Sequence, residues 1–276
     1  MNPDAAMSLP LQNRTIALAE GRQLHDLAQM LEKEGARTLR CPLLSILDAP
    51  DPTPVLEWLS QLAAGGFDWV ILFTGEGVRR LLALAERHGG RESFIAALAR
   101  TATITRGPKP VRALKELDLT PTLVAPTPTT EGVIASLRNQ DLRGERVGVQ
   151  LYSASNPPLE RFLAEAGATV YPVQPYVYAP ASDADHVAEL IRQMARGGVD
   201  AVVFTSSPQV DRLFEVAGER NLLETLSQAF AHTQVASVGP VVSENLRGRG
   251  VPVHICPEQG FVMKNLVQMI KRALGH

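Results

Sequence analysis

The chain has 276 residues, 45% hydrophobic and 20% charged, with a formal net charge of -2. That length suits two domains, each with its own core, and that charge supplies no global field to gather nucleic acid. Cys41 and Cys256 are the only cysteines. They exclude a disulfide framework or a CxxC metal site, so a reducing, cytoplasmic setting is expected.

The opening MNPDAAMSLPLQN has neither the basic nor the apolar block of a signal peptide. Residues 1–13 are expected to be disordered. No apolar run approaches the roughly 20 residues of a membrane-spanning helix, so no membrane partner is expected.

From Arg14 onward, short apolar runs alternate with helical stripes. Strands are predicted at residues 16–19, 70–73, 101–105 and 123–125. Val55, Trp58, Leu59 and Leu62 follow the i, i+3, i+4, i+7 spacing of a core-facing helix, as do Val78, Leu81, Leu82 and Ala85. The second half repeats the first at an offset of 132: GGFDWVILFTGEGVRRLL at 65–82 returns as GGVDAVVFTSSPQVDRLF at 197–214, and Gly107-Pro108 as Gly239-Pro240. Strands are predicted there at 147–151, 201–205, 235–238 and 253–255.

A repeat this long is a duplicated domain. Strand and helix in alternation predict an α/β fold: two doubly wound parallel-sheet domains of flavodoxin-like size, bilobed and joined by two linker strands. The linkers are CPLLSILDAPDPTP and YPVQPYVYAP, where prolines disfavour continuous helix or central strand. Pattern alone leaves open whether each unit's first strand packs with its own copy or crosses to the other half.

In parallel sheets ligands gather at the carboxyl ends of strands, where helix N-termini offer free N–H groups. The turns at those places carry Thr74, Gly75, Arg106, Gly107, Lys109 and Thr129 in the first copy. In the second they carry Ser153, Thr205, Ser206, Ser207, Gly239, Val241 and Val242. Each hydroxyl alone reads first as a helix cap. As a set they suit a ligand with several carboxylates, with Arg106 and Lys109 as cationic partners. No dinucleotide or P-loop fingerprint is present, and the six histidines show no ligand spacing, so neither metal nor cofactor is expected.

The ordered motifs DWVILFTGEGV, VQPYVYAP, DAVVFTSSPQV and VASVGPVVSENLRGRGV resemble uroporphyrinogen-III synthases, and the likeness covers nearly the whole chain. The resemblance implies one domain from residues 14–46 plus 178–276, a second from 49–174, and a site in the cleft they form. It implies a cyclising lyase that takes hydroxymethylbilane, a linear tetrapyrrole with eight carboxylates, to uroporphyrinogen III for haem, sirohaem and cobalamin synthesis. Loss of the terminal hydroxyl gives an azafulvene, and attack through a spiro intermediate inverts ring D. Tyr176 matches the family's linker tyrosine, a candidate acid toward that hydroxyl.

The chain departs from the family at Val241 and Val242, where threonines are common, at Pro110, and in the turns GEG and AEGR. A non-catalytic tetrapyrrole- or polyanion-binding protein of the same fold is therefore the alternative. A sugar-nucleotide transferase is disfavoured by the missing nucleotide fingerprint. Nothing suggests a large exposed apolar helix face, and the chain reads as a monomer.

Overall fold

The computed structural model describes residues 9–152 and 155–275. The expected disorder does not hold at Leu11, which is fully buried and whose N–H donates to the Glu34 carbonyl at 2.8 Å. The buried Leu11 side chain and the bonds Gln12 N–H to Leu9 O and Arg14 N–H to Leu11 O anchor residues 9–13.

The first copy runs β1 (Thr15–Leu18), α1 (Leu24–Glu32), β2 (Arg37–Arg40), β3 (Leu44–Asp48), α2 (Thr53–Ala63) and β4 (Trp69–Leu72). It continues with α3 (Gly75–Arg87), α4 (Arg91–Arg100), β5 (Ala102–Thr105), α5 (Pro108–Lys115), β6 (Leu123–Val124) and α6 (Thr130–Leu137). The second copy runs β7 (Arg146–Gln150), α7 (Pro157–Glu165), β8 (Thr169–Val173), β9 (Tyr176–Pro180), α8 (Ala184–Ala195) and β10 (Ala201–Phe204). It ends with α9 (Ser207–Glu219), α10 (Leu223–His232), β11 (Gln234–Ser237), α11 (Pro240–Gly248) and α12 (Met263–Leu274).

The copies are interleaved. The chain separates into one unit up to Ser45 and from Tyr178 onward, and another from Ile46 to Val177. The first unit's sheet has the order β11-β10-β1-β2 and the second's β6-β5-β4-β7-β8. Each recorded pairing in the two sheets is parallel. Each sheet thus takes its first strand and edge strand from one copy and the rest from the other. The predicted strand at 253–255 is reduced to a single bridge between Ala236 and Ile255.

The repeat also slips by one residue. Thr15 faces Arg37 in one sheet and Arg146 faces Thr169 in the other, so first strands stand 131 residues apart and second strands 132.

Burial on both faces accounts for the apolar runs. In the second unit Val70 and Leu72 join a cluster with Val55, Leu62, Leu81 and Phe94. Ile71 and Phe73, on the opposite face, join Ile104, Val149 and Leu163. The first unit has one core, in which Ile16 and Leu18 meet Val202, Phe204, Leu213 and Ile270.

Where the chain passes between units, β3 and β9 pair with each other alone. Ala49 N–H donates to Pro175 O and Ala181 N–H to Leu43 O, both at 3.2 Å, so the two strands run antiparallel. Proline is tolerated because it sits at edges, with Pro172 on the edge strand β8 and Pro180 ending β9.

Candidate functional site

In the second unit the turns after β4, β5 and β6 lie side by side at the carboxyl ends of the strands. Thr74 caps α3, its hydroxyl accepting the Gly77 N–H at 3.0 Å. Gly75 follows, where a Cβ would lie 2.5 Å from the Lys109 carbonyl, so only glycine lets these two turns touch. Gly107 packs against Pro128, to which a Cβ would come within 2.8 Å. Thr129 caps α6 by accepting the Gly132 N–H at 3.1 Å.

Arg106 lies with its guanidinium 4.6 Å from the Tyr152 ring centroid and 5.3 Å from that of Phe73. Two aromatic faces hold the cation in place, a contact worth about 0.5–2 kcal/mol, and no carboxylate among the described residues pairs with it. Lys109 is exposed nearby. The prolines at 108 and 110 have no N–H to offer, so ahead of the first α5 bond only Lys109 carries a donor.

Tyr176, expected in a linker, opens β9 and is fully buried. Its phenol oxygen lies 3.1 Å from the Thr74 hydroxyl. Thr74 is held in turn by Gln150 at the end of β7: the Thr74 N–H donates to Gln150 Oε1 at 3.0 Å, with the Thr74 hydroxyl 3.4 Å from the same oxygen. Gln150 is fully buried and spends its amide on the Leu151 carbonyl.

The first unit holds a different polar set at the same level. Ser206 is the cap residue of α9, and its N–H and that of Thr205 donate to Gln209 Oε1 at 3.2 and 2.8 Å. The Gln209 amide reaches Glu20 at 3.3 Å, and the Thr205 hydroxyl also bonds Glu20. Ser207 donates to the Val241 carbonyl at 3.4 Å, and Gly239 packs against Phe261, to which a Cβ would come within 3.0 Å.

Three expectations need correction or a limit. The Thr205 side chain is 7% exposed and committed to Glu20, because it corresponds to Phe73 and points into the sheet. Val242 is 4% exposed and belongs to the core, since α11 turns its third residue inward. The amides of Val241 and Val242 nonetheless precede the first α11 bond, Ser243 N–H to Gly239 O. Ser153 lies outside the described residues.

Sequence reasoning missed Gln150, Glu20 and Gln209. The signal was available: RVGVQ ends a buried strand on an amide, and Gln209 interrupts an apolar stripe. A separate cavity of 280 Å³ in the second unit is lined by Asp48, Arg80, Leu84, Arg87, His88 and Pro175 among others, and by none of the candidate residues. Its two arginines both pair with Asp48. Among the described residues no cluster of His, Cys, Asp or Glu could hold a metal, and no helix is long and apolar enough to cross a membrane.

A duplicated α/β chain with exchanged strands, presenting hydroxyl and amide groups on strand-end turns, defines a class of two-unit parallel-sheet proteins. Comparison with known proteins places it within that class. The chain belongs to the uroporphyrinogen-III synthase HemD family, whose model matches residues 25–268.

It is 32% identical to the uncharacterized protein YjjA of Bacillus subtilis (strain 168), over 96% of this chain and 98% of that one. It is 27% identical to a putative uroporphyrinogen-III synthase of Methanothermobacter thermautotrophicus, over 90% and 93%. Among solved structures, a mutant uroporphyrinogen III synthase from Thermus thermophilus superposes with a TM-score of 0.76 at 30% identity, over 95% of this chain and 98% of that one. The Helicobacter pylori uroporphyrinogen-III synthetase shares the fold, with a TM-score of 0.51 at 14% identity over 94% and 99%.

Proposed function

We propose that the chain is a uroporphyrinogen-III synthase, a lyase that cyclises hydroxymethylbilane with inversion of ring D and loss of water. The observation that carries this reading is the family match over residues 25–268. The site chemistry supports it. Arg106, Lys109 and the first-turn amides of α3, α6 and α11 offer cationic and N–H donors to acetate and propionate groups.

The reaction needs a conformer held in reactive geometry and a proton for the leaving hydroxyl. Tyr176 is the proton source in this reading, with Arg106 and the strand-end turns as the binding groups. Val241 and Val242 bind through backbone N–H groups, which a change of side chain leaves in place.

The test is a coupled assay in which hydroxymethylbilane synthase supplies substrate and oxidised products are separated as isomers I and III. Isomer III above the uncatalysed background is the expected outcome. Isomer I alone, from folded protein, would sink the catalytic reading and move the function to tetrapyrrole or polyanion binding.

A further inference from the structure

Tyr176 has no exposed surface, and a group that cannot be touched cannot hand its proton directly to a substrate. Its phenol is instead one member of a chain. Thr74 has a single hydroxyl hydrogen and two acceptor sites. One site takes the Gly77 N–H at 3.0 Å, and the hydroxyl oxygen lies 3.1 Å from the phenol oxygen. Either oxygen can donate in that contact; in the arrangement with the phenol as donor, the Thr74 hydrogen points toward Gln150 Oε1 at 3.4 Å. That separation is long for an O–H···O bond, so this hydrogen is weakly held in that arrangement. Gln150 and Tyr176 are fully buried, whereas Thr74 is partly exposed at the end of β4.

We propose that Thr74 is the catalytic proton donor to the leaving hydroxyl and that Tyr176 is the buried reservoir that recharges it. The proposal rests on the synthase reading above. In the step, the C–O bond of the terminal hydroxymethyl group breaks with its electron pair going to oxygen. That oxygen takes the Thr74 hydrogen and leaves as water, while Thr74 Oγ takes the Tyr176 hydrogen. The pyrrole nitrogen lone pair makes good the carbon's loss, so a cationic azafulvene and a phenolate form together and total charge is conserved. The proton that the pyrroles release on ring closure returns to the phenolate. Gln150 is a positioning residue, its carboxamide fixing the Thr74 backbone so that the hydroxyl stays between phenol and substrate.

The experiment measures isomer III formation from hydroxymethylbilane by wild type, Thr74→Ser, Thr74→Asn, Tyr176→Phe and the Asn/Phe double variant. Asparagine is a good helix cap, so Thr74→Asn should melt near the wild type while losing the hydroxyl. Removing a relayed acid should cost about 100-fold in kcat in each single variant, with KM changed by less than about 3-fold. The double variant should be no slower than the slower single, because both cut one chain, and Thr74→Ser should keep most of the wild-type rate. Rates in light and heavy water mixtures should bow for wild type, reporting two protons in flight, and run straight for Tyr176→Phe.

Wild-type kcat in Thr74→Asn beside a slow Tyr176→Phe would overturn the relay and leave the synthase reading standing. A double-variant loss equal to the product of the single losses would overturn it also. A wild type that makes no isomer III would remove the synthase reading itself, and the relay with it. Should Thr74→Asn fail to fold, a straight wild-type profile would overturn the relay and a bowed one support it.

Discussion

At the scale of residues, one volume is filled from opposite sides in the two units. In the second unit Gln150 reaches across from the central strand, and Gly77 leaves room for it; a Cβ there would overlap the carboxamide. In the first unit Gln209 stands where Gly77 does, and the strand position answering to Gln150 is Ala19, fully buried. The same amide thus satisfies the strand-end N–H groups from the helix in one unit and from the strand in the other. Gly77→Ala should therefore lose about 1–3 kcal/mol of stability by overpacking, read from urea unfolding. Gly77→Gln combined with Gln150→Ala imports the first unit's arrangement and should be more stable than either single change. The cysteines separate by the same reasoning. Burial pushes the Cys41 thiol up to about 11, offset in part by a hydrogen bond with Ser182, with Asp183 adding to the rise. Unfolded thiols ionise near pH 8.5, so the stability held by this buried thiol is intact below that pH and lost as pH rises toward about 11. A maleimide at neutral pH should label the half-buried Cys256 in the folded protein and Cys41 only on unfolding.

At the scale of elements, the exchanged first strands are fastened by the same device twice. Asp200 accepts from the Thr15 N–H at 2.8 Å and from Arg14 at 3.0 Å, and Asp68 accepts from the Arg146 N–H and side chain at 2.9 Å. The Arg146 side-chain hydrogen bond, then its N–H, holds the Asp68 carboxyl below the usual carboxylate range. Stability from this contact is present above the unfolded value near pH 3.9 and lost as pH falls through the lower folded one. Asp68→Asn should flatten the acid limb of a pH–stability curve, modestly because the pair is largely solvated; an unchanged limb would remove the pair from the account. The duplication, helix stripes and most strands were legible in the sequence, because period and burial are local properties. The pairing of β1 with β10 was not: TIAL fits beside any buried parallel strand, and the choice is made by contacts across some 185 positions. At the site the caps Thr74 and Thr129 were legible. The inward turn of Thr205 and Val242 depends on where each strand stops, a boundary that pattern leaves loose by a residue or more.

At the scale of the whole molecule, the repeat boundary and the folding boundary do not coincide. Residues 46–177 are continuous in sequence and carry their own sheet and two hydrophobic clusters, whereas residues 9–145, one copy of the repeat, hold β1 and β2 without β10, the inner partner of β1. Expressed alone, residues 46–177 should melt cooperatively by circular dichroism, and residues 9–145 should not; two equal transitions would show that the copies fold as written. The exchanged first strand also sets an order of events during translation. Thr15 emerges early, yet Asp200, which will hold it, is 185 residues further on. At synthesis speeds of about 5–20 residues per second, the TIAL segment waits roughly 10–40 s for β10, its inner neighbour. For that interval the second unit can complete its sheet while β1 has only the edge strand β2 beside it. The opening segment of the gene therefore encodes a strand whose inner neighbour arrives late, and a nascent chain stalled before residue 201 should leave β1 and β2 open to protease after residues 46–177 have become resistant.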